Sequence, residues 1–275
     1  MSAEVLIADG ADSPLSAAIG ARDRDTLRMV EAAVTGRNAM LAFQPVVLAA
    51  RPDRPAFYEG LIRILDDTGR VIPAREFIGA VEMHPVGRMI DCLALEMGIA
   101  ALKATPTLRL AINLSARSIG FARWQRALDE GLRADPTVGE RLILEITEAS
   151  AMVMPDVVQA FMADLQVRGI SFAIDDFGAG FTSFRHLRDM YFDILKIDGQ
   201  FIRGIATNGD NRVMTQALLS IARHFGMLTV AESVETAEDA AWLTAAGVDC
   251  LQGYHFGVPA RRPTFVACAP RRRTG

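Results

Sequence analysis

The sequence predicts an α/β fold, specifically a TIM-like (β/α)8 barrel with one antiparallel strand near its start. Strand-like apolar segments alternate with helical segments over most of the chain, which favours a parallel sheet. About eight such strands fit a closed barrel or a large doubly wound sheet. The chain has 275 residues, a usual size for a single barrel. We find no internal repeat, low-complexity segment or linker in it, so one domain is predicted.

The first predicted elements are a helix and a hairpin. The helix covers 24–36 and ends at Gly36. Strand-like runs follow at 40–48 and 55–63, and the short segment 51–54 between them is rich in turn-forming residues. We therefore predict that these two strands pair antiparallel.

The rest of the chain alternates between the two kinds of element. Helices are predicted at 74–104 with a break near Pro85, and then at 120–133, 155–168, 183–189, 210–225 and 237–245. Strands are predicted at 108–113, 142–145, 170–175, 192–197, 228–232 and 250–252. The barrel domain is assigned to 23–265, with an N-terminal tail at 1–22 and a C-terminal tail at 266–275.

The composition excludes several classes of protein. A net charge of −4 and a pI near 5.6 give no overall attraction for a nucleic acid polymer or an anionic membrane. The three cysteines form neither a CxxC pair nor an even set, which fits a reducing compartment. We see no signal peptide and no run of about 18 uncharged apolar residues. A cytoplasmic protein without a membrane span is expected.

Two adjacent carboxylates, Asp175 and Asp176, follow the apolar run 170–174. Neighbouring residues on a strand point to opposite faces, so both can reach one site only where the strand ends and the chain turns. Gly178 and Gly180 permit that turn. Adjacent anions repel unless a cation or hydrogen-bond donors lie between them, and a divalent metal is the simplest candidate. A capped loop is the plainer interpretation of this motif taken alone.

Polar residues end seven of the predicted strands, and in a barrel those ends converge on one face. They are Glu59, Asn113, Glu145, Asp175 with Asp176, Lys196, Glu232 and Gln252. Carboxylate and amide oxygens suit Mg²⁺ or Mn²⁺ better than zinc. Two such metals bridged by one aspartate can activate water for attack on phosphorus. Lys196 is then a cation beside the reacting groups, although a lysine satisfied by a neighbouring carboxylate is the alternative.

Eight ordered blocks in the chain resemble the signature blocks of EAL domains, the bacterial cyclic di-GMP phosphodiesterases. The first four are Gln44-Pro45, Glu59-Gly60-Leu61-Ile62-Arg63, Asn113-Leu114-Ser115-Ala116-Arg117 and Glu145-Ile146-Thr147-Glu148. The others are Asp175-Asp176-Phe177-Gly178, Lys196-Ile197-Asp198, Glu232-Ser233-Val234-Glu235-Thr236 and Gln252-Gly253-Tyr254. The resemblance covers about residues 25–262.

The resemblance implies hydrolysis of cyclic di-GMP to linear pGpG with two Mg²⁺ or Mn²⁺ ions. It implies that one metal is bound by Glu59, Asn113, Glu145 and Asp175, and the second by Asp175, Asp176 and Glu232. It assigns the nucleophilic water to Lys196 and Gln252, with Glu148 and Glu235 as supporting residues and Glu148 steadying the loop after Asp176. It places Gln44, Leu61, Arg63 and Asp198 in the substrate site, where a guanidinium suits a phosphate oxygen.

Two departures from the family pattern stand out. Gly60 replaces the alanine of the family's name motif, and we expect a small effect because the metal ligand is kept. The segment 64–67 replaces an aromatic and a His-Pro pair, which bears on guanine stacking or loop packing rather than on the metals. The alternative function is a catalytically silent cyclic di-GMP receptor acting through a protein partner. The resemblance also implies a homodimer, and we expect control by a regulatory partner, oligomerisation or substrate level.

Overall fold

The computed structural model describes the backbone of residues 14–180 and 184–263, and the side chains of 19–180 and 187–263. Its sheet runs in the order β1-β9-β8-β7-β6-β5-β4-β2-β3, and β1 also pairs with β2. Eight strands therefore close into a barrel, with β3 attached outside it to β2. β1 is antiparallel to both of its neighbours, whereas β2 and β4–β9 are parallel to one another. The predicted barrel with one antiparallel strand is confirmed.

The element bounds follow the predicted alternation. The strands are β1 (Ala39–Leu48), β2 (Arg51–Leu65), β3 (Val71–Pro73), β4 (Leu110–Asn113), β5 (Leu142–Thr147), β6 (Ser171–Phe177), β7 (Ile194–Ile197), β8 (Leu228–Ala231) and β9 (Cys250–Gln252). The helices are α1 (Pro14–Thr35), α2 (Ile78–Val81), α3 (Pro85–Ala104), α4 (Ala122–Ala134), α5 (Glu148–Val153), α6 (Pro155–Gln166), α7 (Phe184–Asp189), α8 (Gly199–Ile202), α9 (Gly209–His224) and α10 (Ala237–Ala246). Among the described helices, none combines the length and apolarity needed to cross a membrane.

Two boundaries near the start differ from the prediction. α1 begins at Pro14, ten residues before the predicted helix, and proline at a first helical position presets the helical φ. The predicted turn at 51–54 is wrong, because β2 already begins at Arg51 and the turn is at 49–50. Register shifts on both sides of Val47 absorb the extra residues of β2. The predicted C-terminal tail and residues 1–13 lie outside the described residues, so the tail boundaries stay predictions.

The barrel interior contains one buried layer to which every barrel strand contributes a single side chain. These residues are Val46, Phe57, Ala111, Ile143, Ala173, Ile194, Val230 and Cys250. The larger apolar core lies between the strands and the surrounding helices. Since side chains alternate across a strand, the residue two positions further along each strand also points into the barrel. This apolar layer therefore forms a floor inside the barrel, and the next inward-pointing residue of each strand lies above it.

Candidate active site

The residues two positions beyond the apolar floor are polar in all eight strands. On the seven parallel strands they lie toward the carboxyl end, and on antiparallel β1 the corresponding residue precedes the floor residue. The set is Gln44, Glu59, Asn113, Glu145, Asp175, Lys196, Glu232 and Gln252. One period-two pattern thus produces both the barrel core and a polar ring above it. The structure brings together every strand-end residue that the sequence singled out.

Lys196 lies at the centre of this ring and is fully buried. Its Nζ is 2.7 Å from Glu232 Oε1, 2.9 Å from Asp175 Oδ1, 3.1 Å from Glu145 Oε2 and 3.5 Å from Glu59 Oε2. One ammonium group is therefore shared among four carboxylates from four different strands. A single positive charge cannot balance four negative ones, so the cluster has an excess of negative charge when all its members are ionised.

Two amide side chains fix the carboxylate of Glu59, and a third, Gln44, contacts one of them. Asn113 Nδ2 donates to Glu59 Oε1 at 2.9 Å, and Gln252 Nε2 donates to Glu59 Oε2 at 2.6 Å. Gln252 Nε2 also lies 3.3 Å from Gln44 Oε1, and Gln44 Nε2 donates to the Gly257 carbonyl. Glu59 is consequently the best satisfied acid of the ring.

The protonation behaviour of the acids follows from these contacts. For Glu59 burial acts to raise the pKa, but Lys196 and the hydrogen bonds from the amides outweigh it, and the pKa is lowered. Glu145 is buried among other carboxylates, and burial raises its pKa well above the usual range. Burial and the charge of Asp175 do the same to Glu232. Burial acts to lower the pKa of Lys196, but its four acidic neighbours raise it well above normal, so the ammonium form is held.

Asp176 joins the ring through a bulge rather than through the end of a strand, contrary to the sequence prediction. β6 continues to Phe177, and its pairing with β7 skips from Ile174 to Phe177. Asp176 has a left-handed φ of 53°, which turns its side chain to the same end as that of Asp175. Burial and the charges of Asp175 and Asp198 raise the pKa of Asp176 to about 6. Strain of this kind is concentrated at functional sites.

The ring fits divalent cations on three counts. Carboxylate oxygens of Asp175, Asp176 and Glu232 lie within 4.8 Å of one another. Buried oxygens of Glu145 (Oε1), Asp175 (Oδ1) and Gln252 (Oε1) have no hydrogen-bond partner among the described residues, and Asp175 Oδ1 meets Lys196 only as an ion pair. The donors are all oxygens, which Mg²⁺ and Mn²⁺ prefer. With Asp176, five carboxylates face one lysine, and two divalent cations balance the remaining four negative charges.

The other predicted site residues lie around this ring. Glu148 Oε2 accepts a hydrogen bond from Gly178 N at 3.0 Å, which ties α5 to the segment after Asp176. Asp198 caps α8 by accepting from Gln200 N, and its carboxylate interacts with that of Asp176. Arg63 is partly buried, and its guanidinium interacts electrostatically with the carboxylate of Glu59. Leu61, also partly buried, is the neighbour of Gly60 on β2.

A cavity of about 270 Å³ opens onto the ring. Five of its lining residues are predicted site residues, namely Gln44, Glu59, Glu232, Glu235 and Gln252. Ser233, Gly253 and Tyr254 belong to the signature blocks without an assigned role, and Arg203 lies outside those blocks. Arg203 Nη2 donates to Ser233 Oγ at 3.0 Å, and its Nε is 3.8 Å from Glu235. No sequence pattern marks Arg203, because its position depends on the loop after α8. Ser233 has a φ of 56°, a strained conformation directly after Glu232.

The fold and the ring define a class of protein: a (β/α)8 barrel with an acidic, all-oxygen site at the carboxyl end of its strands. The family model of the EAL domain matches residues 27–259, and the chain belongs to the EAL domain family. This resemblance, read from the eight sequence blocks, is confirmed.

Named relatives and solved structures agree with this assignment. The chain is 30% identical over 237 residues to cyclic di-GMP phosphodiesterase PdeF of Escherichia coli, covering 85% of this chain and 31% of PdeF. It is 31% identical over 244 residues to probable cyclic di-GMP phosphodiesterase PdeN of the same organism, covering 87% and 47%. It thus spans less than half of either relative.

Two solved structures have the same architecture. The FimX EAL domain of Pseudomonas aeruginosa bound to c-di-GMP has a TM-score of 0.78 at 25% identity, covering 86% of this chain and 97% of that one. The PaMucR phosphodiesterase, in a c-di-GMP complex, has a TM-score of 0.73 at 28% identity with the same two coverages.

Proposed function

We propose that the chain is a metal-dependent phosphodiesterase that hydrolyses cyclic di-GMP to linear pGpG. The observation that carries the proposal is the charge of the ring, in which five carboxylates face the single ammonium of Lys196. Such a site repels a phosphodiester unless cations reverse its sign. The relatives named as cyclic di-GMP phosphodiesterases support the substrate.

The ring offers two overlapping sets of metal ligands. In our assignment Glu59, Asn113, Glu145 and Asp175 hold one Mg²⁺ or Mn²⁺, and Asp175, Asp176 and Glu232 hold the other. When bound, the two ions supply positive charge for the phosphodiester oxygens and lower the pKa of water. Hydrolysis adds water to phosphorus and breaks one bond from phosphorus to a ribose 3′ oxygen. The product is a linear dinucleotide with a 5′ phosphate and a free 3′ hydroxyl.

The remaining residues orient the reactants. Gln252 uses its amide N–H on Glu59, which leaves its buried Oε1 as an acceptor for a proton of the attacking water. Lys196 is held in its ammonium form and can donate to the charge that develops on the phosphoryl oxygens. Glu148 fixes the segment after Asp176 through Gly178 N. Arg63 supplies a guanidinium for a substrate phosphate, and Gln44, Leu61, Asp198 and Glu235 complete the surroundings.

The direct test is incubation with cyclic di-GMP and Mg²⁺ or Mn²⁺, with and without a chelator, followed by chromatography of the nucleotides. We expect pGpG to appear only when metal is free. Glu232→Gln keeps the shape of the side chain but removes a ligand charge, so turnover should fall on the order of 1,000-fold, equivalent to about 4 kcal/mol. Glu238→Gln, the same change at an exposed residue of α10, is the matched control and should keep full turnover. Tight binding of intact cyclic di-GMP without cleavage would instead identify a receptor.

We also propose that the enzyme is a cytoplasmic homodimer whose turnover responds to a regulatory protein partner. Light scattering of the purified chain, with and without cyclic di-GMP, tests the dimer. A monomer at concentrations where turnover is full would contradict it.

A further inference from the structure

The loop after β4 continues directly from Asn113 and is held by side chains from two helices. Asp91 of α3 accepts hydrogen bonds through Oδ2 from Ser115 N at 3.1 Å and from Ser118 Oγ at 2.6 Å. Ser150 of α5 accepts one from Ala116 N at 2.8 Å. Three positions that follow Asn113, namely Ser115, Ala116 and Ser118, are therefore fixed by groups outside β4.

Asp91 is an unusual choice for this task because it carries a charge. It has no ion pair among the described residues, and burial raises its pKa to about 7 despite the hydrogen bonds from Ser118 and Ser115. A neutral acceptor would satisfy the hydroxyl and the amide at a lower desolvation cost. The charged and titratable groups that line the two cavities beside Asp91 are Glu82, His84, Arg88, Arg117 and Glu145.

The loop is coupled to the acidic ring through its first residues. Leu114 N donates to the Glu145 carbonyl at 2.8 Å, and Asn113 Nδ2 donates to Glu59 Oε1. Asp91, Asn113 and Glu145 are among the residues that line one cavity of about 120 Å³. Because only Leu114 separates Ser115 from Asn113, we expect a displacement of Ser115 to alter the position of the Asn113 side chain. Outer hydrogen-bond partners of this kind tune metal sites.

We propose that Asp91 is a positioning residue for Asn113, acting by fixing the backbone of the loop after β4 through Ser115 and Ser118. The inference rests on the proposed function, because it treats Asn113 as a ligand of the metal. Asp91→Asn keeps one oxygen that can accept from both Ser115 N and Ser118 Oγ, but it replaces charge-assisted hydrogen bonds by weaker neutral ones, so the loop is held less firmly.

The test compares Mn²⁺ binding to the full chain by calorimetry, which does not depend on hydrolysis. We expect Asp91→Asn to weaken Mn²⁺ binding about 10- to 100-fold. At saturating Mn²⁺ the KM for cyclic di-GMP should change little, so the effect of Asp91→Asn should appear in the dissociation constant for Mn²⁺. Asp249→Asn is the matched control, because Asp249 also accepts one backbone N–H and one hydroxyl, both from Thr229, but at the opposite end of the barrel. Its Mn²⁺ binding should equal that of the wild type.

A second variant guards against an Asp91→Asn protein that does not fold. Ser118→Ala removes one donor and keeps the carboxylate, so a weakening of a few-fold in the same direction is expected. Unchanged Mn²⁺ binding in Asp91→Asn, or in Ser118→Ala when Asp91→Asn does not fold, would overturn the inference, as would an equal loss in Asp249→Asn. A wild type that does not bind Mn²⁺ overturns both proposals. If the wild type binds Mn²⁺ but leaves cyclic di-GMP intact, only the proposed function fails, and the comparison of variants still decides the role of Asp91.

Discussion

The two ends of the barrel use carboxylates in opposite ways. At the amino end, Asp193 accepts a hydrogen bond from Phe172 N, Asp249 from Thr229 N and Oγ1, and Asp135 from Thr137 N and Oγ1. At the carboxyl end, Glu145 and Asp175 each keep a buried oxygen without a hydrogen-bond partner among the described residues. These acids at the amino end satisfy backbone N–H groups, whereas the acids of the ring at the carboxyl end repel one another. The carboxyl end thus contains acids whose mutual repulsion costs stability, as expected of the cation site that we propose.

Substitution of Lys196 is the most direct test of this difference between the two ends of the barrel. Lys196→Met leaves four buried carboxylates without their cation, and breaking a buried ion pair costs about 3–5 kcal/mol. We expect the free energy of unfolding in urea, with a chelator present, to fall by that amount. Turnover should fall on the order of 100- to 1,000-fold because a donor to the developing charge is lost. Added Mn²⁺ should recover stability but not turnover, since it replaces only the charge.

The chain provides a matched control for this prediction. Lys103 is the only other lysine and is exposed on α3. Lys103→Met should change neither unfolding nor turnover by a measurable amount. If Lys196→Met were as stable as Lys103→Met in chelator, the ion pairs around Lys196 would not hold the ring together.

Gly60→Ala tests how tightly the side chains pack behind the ring. A Cβ at Gly60 would lie 2.7 Å from Ile112 Cδ1, and Ile112 is also packed against Gly98. Ile112 therefore occupies the space that the methyl group of the family's alanine would need, which explains the glycine at position 60. We expect Gly60→Ala to have a larger effect than the small one expected from the sequence. We predict that Gly60→Ala lowers the free energy of unfolding, measured in urea, by about 1–3 kcal/mol.

Ile112→Val is the compensating change for that experiment, because it removes the Cδ1 atom in conflict. Alone it should cost about 0.5–1.5 kcal/mol. Combined with Gly60→Ala it should cost less than the sum of the two, which a double-mutant cycle measures. Additive costs would show that Ile112 is not the reason for Gly60.

The sequence predicted the acidic ring better than the framework that holds it. Because the carboxyl ends of the strands converge on one face of a barrel, Glu59, Glu145 and Glu232 could be placed together from their positions at the ends of predicted strands. Asp176 was also placed in the site, but for the wrong reason, because its position depends on a bulge within β6 and not on the end of the strand. Asp91 was missed because its contacts span 24 and 27 residues and connect a helix to a loop. Long-range hydrogen bonds to backbone N–H groups leave no pattern in the sequence.

Asp193→Asn probes the amino end of the barrel. Asp193 Oδ2 accepts from Phe172 N at 2.8 Å, and losing the charge of that acceptor should cost about 1–2 kcal/mol in urea unfolding. Phe172 belongs to β6, the strand that carries Asp175, but it lies at the far end from the ring. Turnover per folded molecule should therefore stay at the wild-type level. A tenfold loss of turnover would mean that the two ends of the barrel are coupled more strongly than their contacts indicate.

The smallest predicted effect is a difference in the sign of a pH dependence. Hydrogen bonds from Thr137 lower the pKa of Asp135, so its stabilising contribution is present above pH about 4 and is lost as pH falls through the lowered value. Burial raises the pKa of Asp91 to about 7, so its contribution is present below pH about 4 and is lost as pH rises to 7. Measured in urea with a chelator, the stability of Asp91→Asn relative to the wild type should rise between pH 4 and 7, on the order of 1 kcal/mol given the partial exposure of Asp91. Asp135→Asn should show no such rise over the same range, and equal behaviour of the two variants would remove this contrast between the ends of the barrel.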